Sequence, residues 1–190
     1  AWANWVSLLT GRYASVHGAR KPGDPIRAWT NLPDLFREAG YAGRTYGVGT
    51  LPFEWERLPA SAFPARAGSP ELAVIAGRVA CPWAWVLHLC LPSEDGKGPE
   101  DLRVAVGVTP PDGVFVPARF SRPVSLVDLL PTLCRLLGLP IPQDVQGRSL
   151  LPLLEDGILA ERELAVAYAE TEEGSLIWDG RQGVLASPEA

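Results

Sequence analysis

Methionine is absent from this 190-residue chain, and lysine and histidine occur only twice each. The missing methionine marks a chain that does not start at an initiator, read either as trimmed ahead of Ala1 or as a piece of something longer. Cysteine is scarce and odd in number (Cys81, Cys90 and Cys134), with no CxxC pair. That excludes a disulfide framework and a zinc site of the finger type; small buried hydrophobes are the simpler reading. No apolar run reaches the roughly 18 residues of a membrane span, and the most apolar stretch, Trp83 to Leu91, is strand-sized. A basic n-region followed by an apolar run is also missing, so no signal peptide is visible. Positive charge in excess is absent too: formal net charge is −5. The deficit lies in the second half, which argues against a nucleic-acid surface. The arginines, far more numerous than the lysines, read as a codon-composition signature.

What is present is a globular composition, 47% apolar and 21% charged, in a chain long enough to bury about 70% of its unfolded surface. Nineteen prolines and nineteen glycines cut it into short elements. Residues 3–10 read as a short helix ended by Gly11, and 14–29 as a loop. A helix over 31–39 has Thr30 or Asn31 as cap, Pro33 and Asp34 in its first turn, and Gly40 as terminator. Arg44 to Val48 suggests a strand, 51–68 a loop, and Ser69-Pro70-Glu71 the start of a helix to about Val79. Trp83–Cys90 and Arg103–Val108 read as strands covered on both faces, as in a parallel α/β sheet. Residues 128–137 form an apolar-faced helix with Pro131 in its first turn. Leu150–Leu154 is an apolar turn, 163–170 a strand, and Asp179-Gly180 a hairpin turn. The fold class is therefore α/β, as a reduced α/β/α sandwich with a mostly parallel sheet. Residues 1–155 form its shortened main domain and 156–190 a β-rich C-terminal extension. Unpaired strand edges in so reduced a sheet predict poor solubility or a homo-oligomer.

Groups able to do chemistry are few. His17 lies in a probable loop, and His88 in an apolar strand, where a satisfied core histidine is the commoner case. Ser7 and Thr10 are hydroxyls with no base nearby in sequence. The pairs Glu94-Asp95 and Glu155-Asp156 have adjacent, diverging side chains, poor for a divalent cation. Glu170, Glu172 and Glu173 read as a solvated acidic turn. There is no phosphate loop, dinucleotide fingerprint or Gly-x-Ser-x-Gly. Trp2, Trp5 and Trp55 mark either core or a contact surface.

Three ordered segments resemble the sulfatases of the alkaline phosphatase superfamily. Ser7-Leu8-Leu9-Thr10-Gly11-Arg12-Tyr13, with His17-Gly18, is similar to the tail of the sulfatase signature, and Leu32–Ala39 with Gly40-Tyr41 to the helix that follows. Pro82 to Pro92 is similar to a core strand whose first histidine falls on His88. Pro123–Leu133, Gly138-Leu139-Pro140 and Gly147-Arg148-Ser149-Leu150 resemble the block closing the main domain, the most specific of the three. The resemblance covers most of residues 7–155 and implies sulfuric ester hydrolysis of a small anionic ester. The family uses formylglycine made from a cysteine, a divalent metal, usually calcium, and lysine and histidine around the sulfate.

This chain departs where the chemistry resides. The formylglycine cysteine falls on Ala1 and the signature arginine on Trp5. The family's Gly-Lys-Trp-His-Leu-Gly falls near Gly47-Val48-Gly49-Thr50-Leu51-Pro52, and a histidine becomes Ser93. The sequence thus supports no catalytic set, metal ligand or cofactor. Only His88, Ser93, Arg12 and His17 stand at positions worth testing. The expectation is a degenerate sulfatase-like chain with negligible activity. The alternatives are a non-catalytic binding or assembly module, or a fragment of a larger active sulfatase or phosphoesterase.

Overall fold

The computed structural model describes residues 2–27, 30–64, 71–75, 86–90, 105–109, 124–156, 167–171, 174–178 and 183–186. Among these, no helix is long and apolar enough to cross a membrane.

Helix α1 (Trp2–Thr10) buries Val6, Leu8, Leu9 and Thr10. The Thr10 hydroxyl donates to the Val6 carbonyl at 2.7 Å, and Gly11, at φ +65°, ends the helix in the left-handed conformation. The segment read as loop contains one further helical turn, α2 (Ala14–His17). Helix α3 (Leu32–Glu38) is built as its local signals require. Asn31 Oδ1 accepts from the Asp34 amide at 3.0 Å, so Asn31, not Thr30, is the cap. Its C-terminus closes with two reversed bonds, Gly40 N–H to Arg37 O and Tyr41 N–H to Phe36 O, with the Phe36 and Tyr41 rings 5.3 Å apart over the turn. The same closure ends α4 (Leu129–Leu136): Gly138 donates to Arg135 and Leu139 to Cys134. Both are Schellman motifs, each needing positive φ at its glycine. A short 3-10 turn over Leu126–Asp128 leads into α4, and α5 (Leu151–Asp156) follows it.

One core joins these helices. Leu8 and Leu9 of α1, Leu32 and Phe36 of α3, and Leu129, Leu130, Leu133 and Cys134 of α4 form a single buried cluster. Burial raises the Cys134 thiol above its ordinary pKa, so it stays protonated and unreactive.

The three-stranded sheet β2-β1-β3 is parallel, with β1 (Ala42–Tyr46) central. β2 (Glu56–Leu58) pairs Arg44 with Glu56 and Tyr46 with Leu58. β3 (Glu71–Ile75) pairs Ala42 with Glu71 and Tyr46 with Ile75. The segment read as a helix from 69 to 79 is therefore a strand over its described part. Glu71 helps to decide this, because it reaches Arg44 and Tyr46 across the sheet, and Val74 and Ile75 favour the pleat. The loop over 51–68 likewise contains β2 and a 3-10 turn, Ala60–Ala62.

β4 (Val86–Cys90) and β5 (Ala105–Thr109) were the expected central parallel strands, but they pair antiparallel, His88 opposite Gly107. The connecting sequence 91–104 carries Pro92, Gly96, Gly98 and Pro99. It lacks the helix-forming stretch that a parallel crossover uses. β6 (Ala167–Thr171), β7 (Gly174–Trp178) and β8 (Gly183–Ala186) form an antiparallel meander; the expected turn at Asp179-Gly180 lies outside the described residues. Mixed α/β character holds. A mostly parallel sheet does not hold among the described strands, where parallel pairing is confined to β1, β2 and β3.

Candidate functional site

Of the four candidate residues, His17 meets the end of α1 through Ser7. His17, fully buried, places Nε2 3.0 Å from Ser7 Oγ. Spacing in sequence had left Ser7 without a base, and the turn of α2 supplies an imidazole. The protonation pattern then decides what this pair can do. The Ala19 amide donates to His17 Nδ1 at 3.1 Å, so Nδ1 carries the lone pair and the ring proton sits on Nε2. Nε2–H donates to the Ser7 oxygen. A base activating Ser7 would need its lone pair on that same nitrogen, so this arrangement holds the serine without activating it.

Arg12 is equally engaged. Its Nη2 forms an ion pair with Asp144, and Nη1 donates to the Arg27 carbonyl at 3.3 Å. The Arg27 amide in turn donates to the His17 carbonyl at 2.9 Å. Arg12 and His17 thus both hold the main chain of Arg27 and close the loop over 17–27. Asp24 staples that loop internally, accepting from the amides of Arg20 and Lys21 at 2.9 and 3.0 Å. These amides hold the Asp24 carboxyl below its ordinary pKa.

The block over 125–150 forms a second lock. Asp128, 1% exposed, accepts the Ser125 amide on Oδ2 and the Arg148 amide on Oδ1, each at 3.0 Å. Ser125 and Asp128 make a reciprocal capping box. The Thr132 hydroxyl donates to the Asp128 carbonyl at 2.6 Å and accepts the Leu150 amide at 2.8 Å. Gly147 lies so close to the Val127 carbonyl that a Cβ would stand 1.8 Å from its oxygen. One step upstream, Gln146 donates its amide to the Gly11 carbonyl and accepts the Tyr13 amide on Oε1, at 2.8 and 2.9 Å. The residues 144–150 therefore clasp both the end of α1 and the start of α4.

His88 stands on β4 opposite Gly107; Ser93 and Ala1 lie outside the described residues. Among the described residues no three histidine, cysteine or carboxylate groups are placed to hold a metal ion. The carboxylates have other partners: Asp34 binds Asn31 and Arg37, and Glu56 and Glu71 share Arg44. A calcium site needs six or more oxygens on one ion, so these residues do not fit a calcium ion.

Open parallel sheets bind ligands outside the carboxyl ends of their strands. Here β1 exits into Gly47-Val48-Gly49-Thr50-Leu51, without a titratable side chain. Gly47, at φ +66°, packs against the 3-10 turn so closely that a Cβ would lie 2.9 Å from Ala60 Cβ. That turn covers the exit of β1.

One polar network escaped the reading of the sequence. Arg44 Nε and Nη1 each lie 2.7 Å from a carboxylate, Glu56 and Glu71, which hold its proton more firmly than usual. Tyr46, 2% exposed, donates to Glu71 at 3.2 Å. Its burial first, then the Glu71 charge, raises its phenol pKa. The usable signal was Arg44 and Tyr46 alternating on β1 with a glutamate on each neighbouring strand. On the other face Thr45 buries a hydroxyl without a hydrogen-bond partner, and nothing among the described residues explains it.

Comparison with protein families, with curated proteins and with solved structures finds no match for the chain.

Proposed function

We propose that the chain is a sulfatase-like module with no sulfuric ester hydrolase activity of its own. The reading rests on the ordered resemblance over most of residues 7–155 and on how its polar members are used. Ser7, Arg12, His17, Asp128 and Thr132 all make hydrogen bonds that brace the main chain or one another. That deployment supports inheritance of a framework. The alanine at the formylglycine position and the uncharged exit of β1 support loss of the chemistry. Each missing element of an electrostatic site costs orders of magnitude in rate, so their joint loss leaves background turnover.

The test is hydrolysis of an aryl sulfate, and of aryl phosphate mono- and diesters, with calcium or magnesium present or chelated. Calorimetric titration of each metal accompanies it. Rates equal to buffer and no metal heat agree with the proposal. Metal-dependent turnover, lost on chelation, overturns it.

A further inference from the structure

An open concavity of about 540 Å3 lies between the end of α3 and β2, on the side where β1 begins. It is remote in kind from the strand exits discussed above, and the inference drawn from it does not depend on the sulfatase reading. Trp55 and Phe53 supply its flat apolar wall. The indole is fixed, because Nε1–H donates to the Pro52 carbonyl at 2.8 Å. Phe53 is the one non-glycine residue with positive φ among the described residues, at 67°. Such a conformation persists only where the surroundings enforce it, and it gathers at binding sites. Gly43 contributes no side chain, and a Cβ there would lie 3.6 Å from the Trp55 ring. That is ordinary contact distance, so the glycine, whose backbone does not require one, leaves this edge of the indole without a side chain against it.

The charges along the rim fall into two sets. Glu56 is paired with Arg44, which it shares with Glu71. Arg37 is neutralised by Asp34 and also donates to the Glu54 carbonyl. Arg57 and Glu54 line the same concavity, are exposed, and make no ion pair among the described residues. A ligand matching this set carries one anionic and one cationic end and a flat body to lie against the aromatic wall. We propose that this concavity binds a small zwitterion of the aromatic α-amino-acid class. Its carboxylate faces Arg57, its ammonium faces Glu54, and its ring lies on Trp55 over Gly43.

The test uses the whole chain and L-phenylalanine as probe, by calorimetry and by ligand-observed saturation-transfer NMR. N-acetyl-L-phenylalanine lacks the ammonium charge, and L-phenylalanine amide lacks the carboxylate. Saturable binding of the free amino acid is expected, with each blocked analogue about tenfold weaker or more, one charge-assisted contact being lost. In Glu54→Gln the penalty for acetylation disappears, and in Arg57→Gln the penalty for amidation disappears. Gly43→Val fills the space while favouring the strand, so binding falls while thermal unfolding and far-UV circular dichroism hold. Absence of saturable binding by the folded chain overturns the proposal. So does binding indifferent to the blocked termini, or unchanged in Gly43→Val.

Discussion

The clasp around residues 144–150 and the parallel sheet around Arg44 spend their polar groups in opposite ways. In the clasp, Asp128 and Thr132 are 1% and 3% exposed and bond main-chain amides and carbonyls. On the sheet, Arg44 and Glu56 are about one-third and one-half exposed and bond each other. Buried amides deprived of an acceptor pay their full desolvation cost, whereas exposed ions return to water. The lesson is that apparent motif residues in this chain belong to the first kind. Their presence in a sequence reports a fold being held together as readily as a site.

The sharpest way to break the comparison is Gly147→Ala. A Cβ 1.8 Å from the Val127 oxygen cannot be accommodated by a side-chain shift. A loss of roughly 4 kcal/mol or more is expected, the class of change that only main-chain displacement produces, read from the urea midpoint. Asp128→Ala comes next. It leaves the Ser125 and Arg148 amides without their acceptor, at about 2–4 kcal/mol in the same titration. Thr132→Val keeps the shape but abandons the Leu150 amide, at about 1–3 kcal/mol. Amide hydrogen exchange at Leu150 should rise well ahead of exchange in α3. Glu56→Gln, by contrast, removes only the exposed partner of Arg44 and should cost under about 1 kcal/mol, losing even that in high salt. A cost as large as that of Asp128→Ala would erase the distinction between the two regions.

The smallest effect concerns the loop over 17–27. The folded state depresses the Asp24 pKa, so its contribution is present above the ordinary carboxylate value. It is lost as pH falls through the lower, folded value. Exchange of the Arg20 and Lys21 amides should therefore accelerate, beyond its intrinsic pH dependence, only on the acid side of that window. Asp24→Asn should remove this extra pH dependence. An unchanged acid-side profile in the variant would show that the staple does not hold the loop.

Local grammar was the legible part of this sequence. Asn31 with Asp34, Gly11, Gly40 and Gly138 announced where helices begin and end. Each of these signals acts over a few residues, through a cap bond or a left-handed turn. Glu71–Ile75 was misread because Ser69-Pro70-Glu71 looks like a helix start, while the strand depends on β1, some thirty residues earlier. The direction of the β4–β5 pairing was illegible for the same reason. Arg12, His17 and Ser7 were visible as residues, but their partners were not: His17 takes its tautomer from Ala19, and Arg12 takes its counter-ion from Asp144.

By itself, then, the sequence determined the caps, the turns and the apolar faces that assemble α1, α3 and α4 into one core, since these depend on neighbours a turn or two away. Only the tertiary structure decided which strands pair and in which direction, and whether a polar side chain is spent on an amide or left facing a groove. Those outcomes turn on groups more than 130 residues apart in the chain, as between Tyr13 and Gln146. Their energies exist only once the intervening segments have brought them within hydrogen-bonding distance.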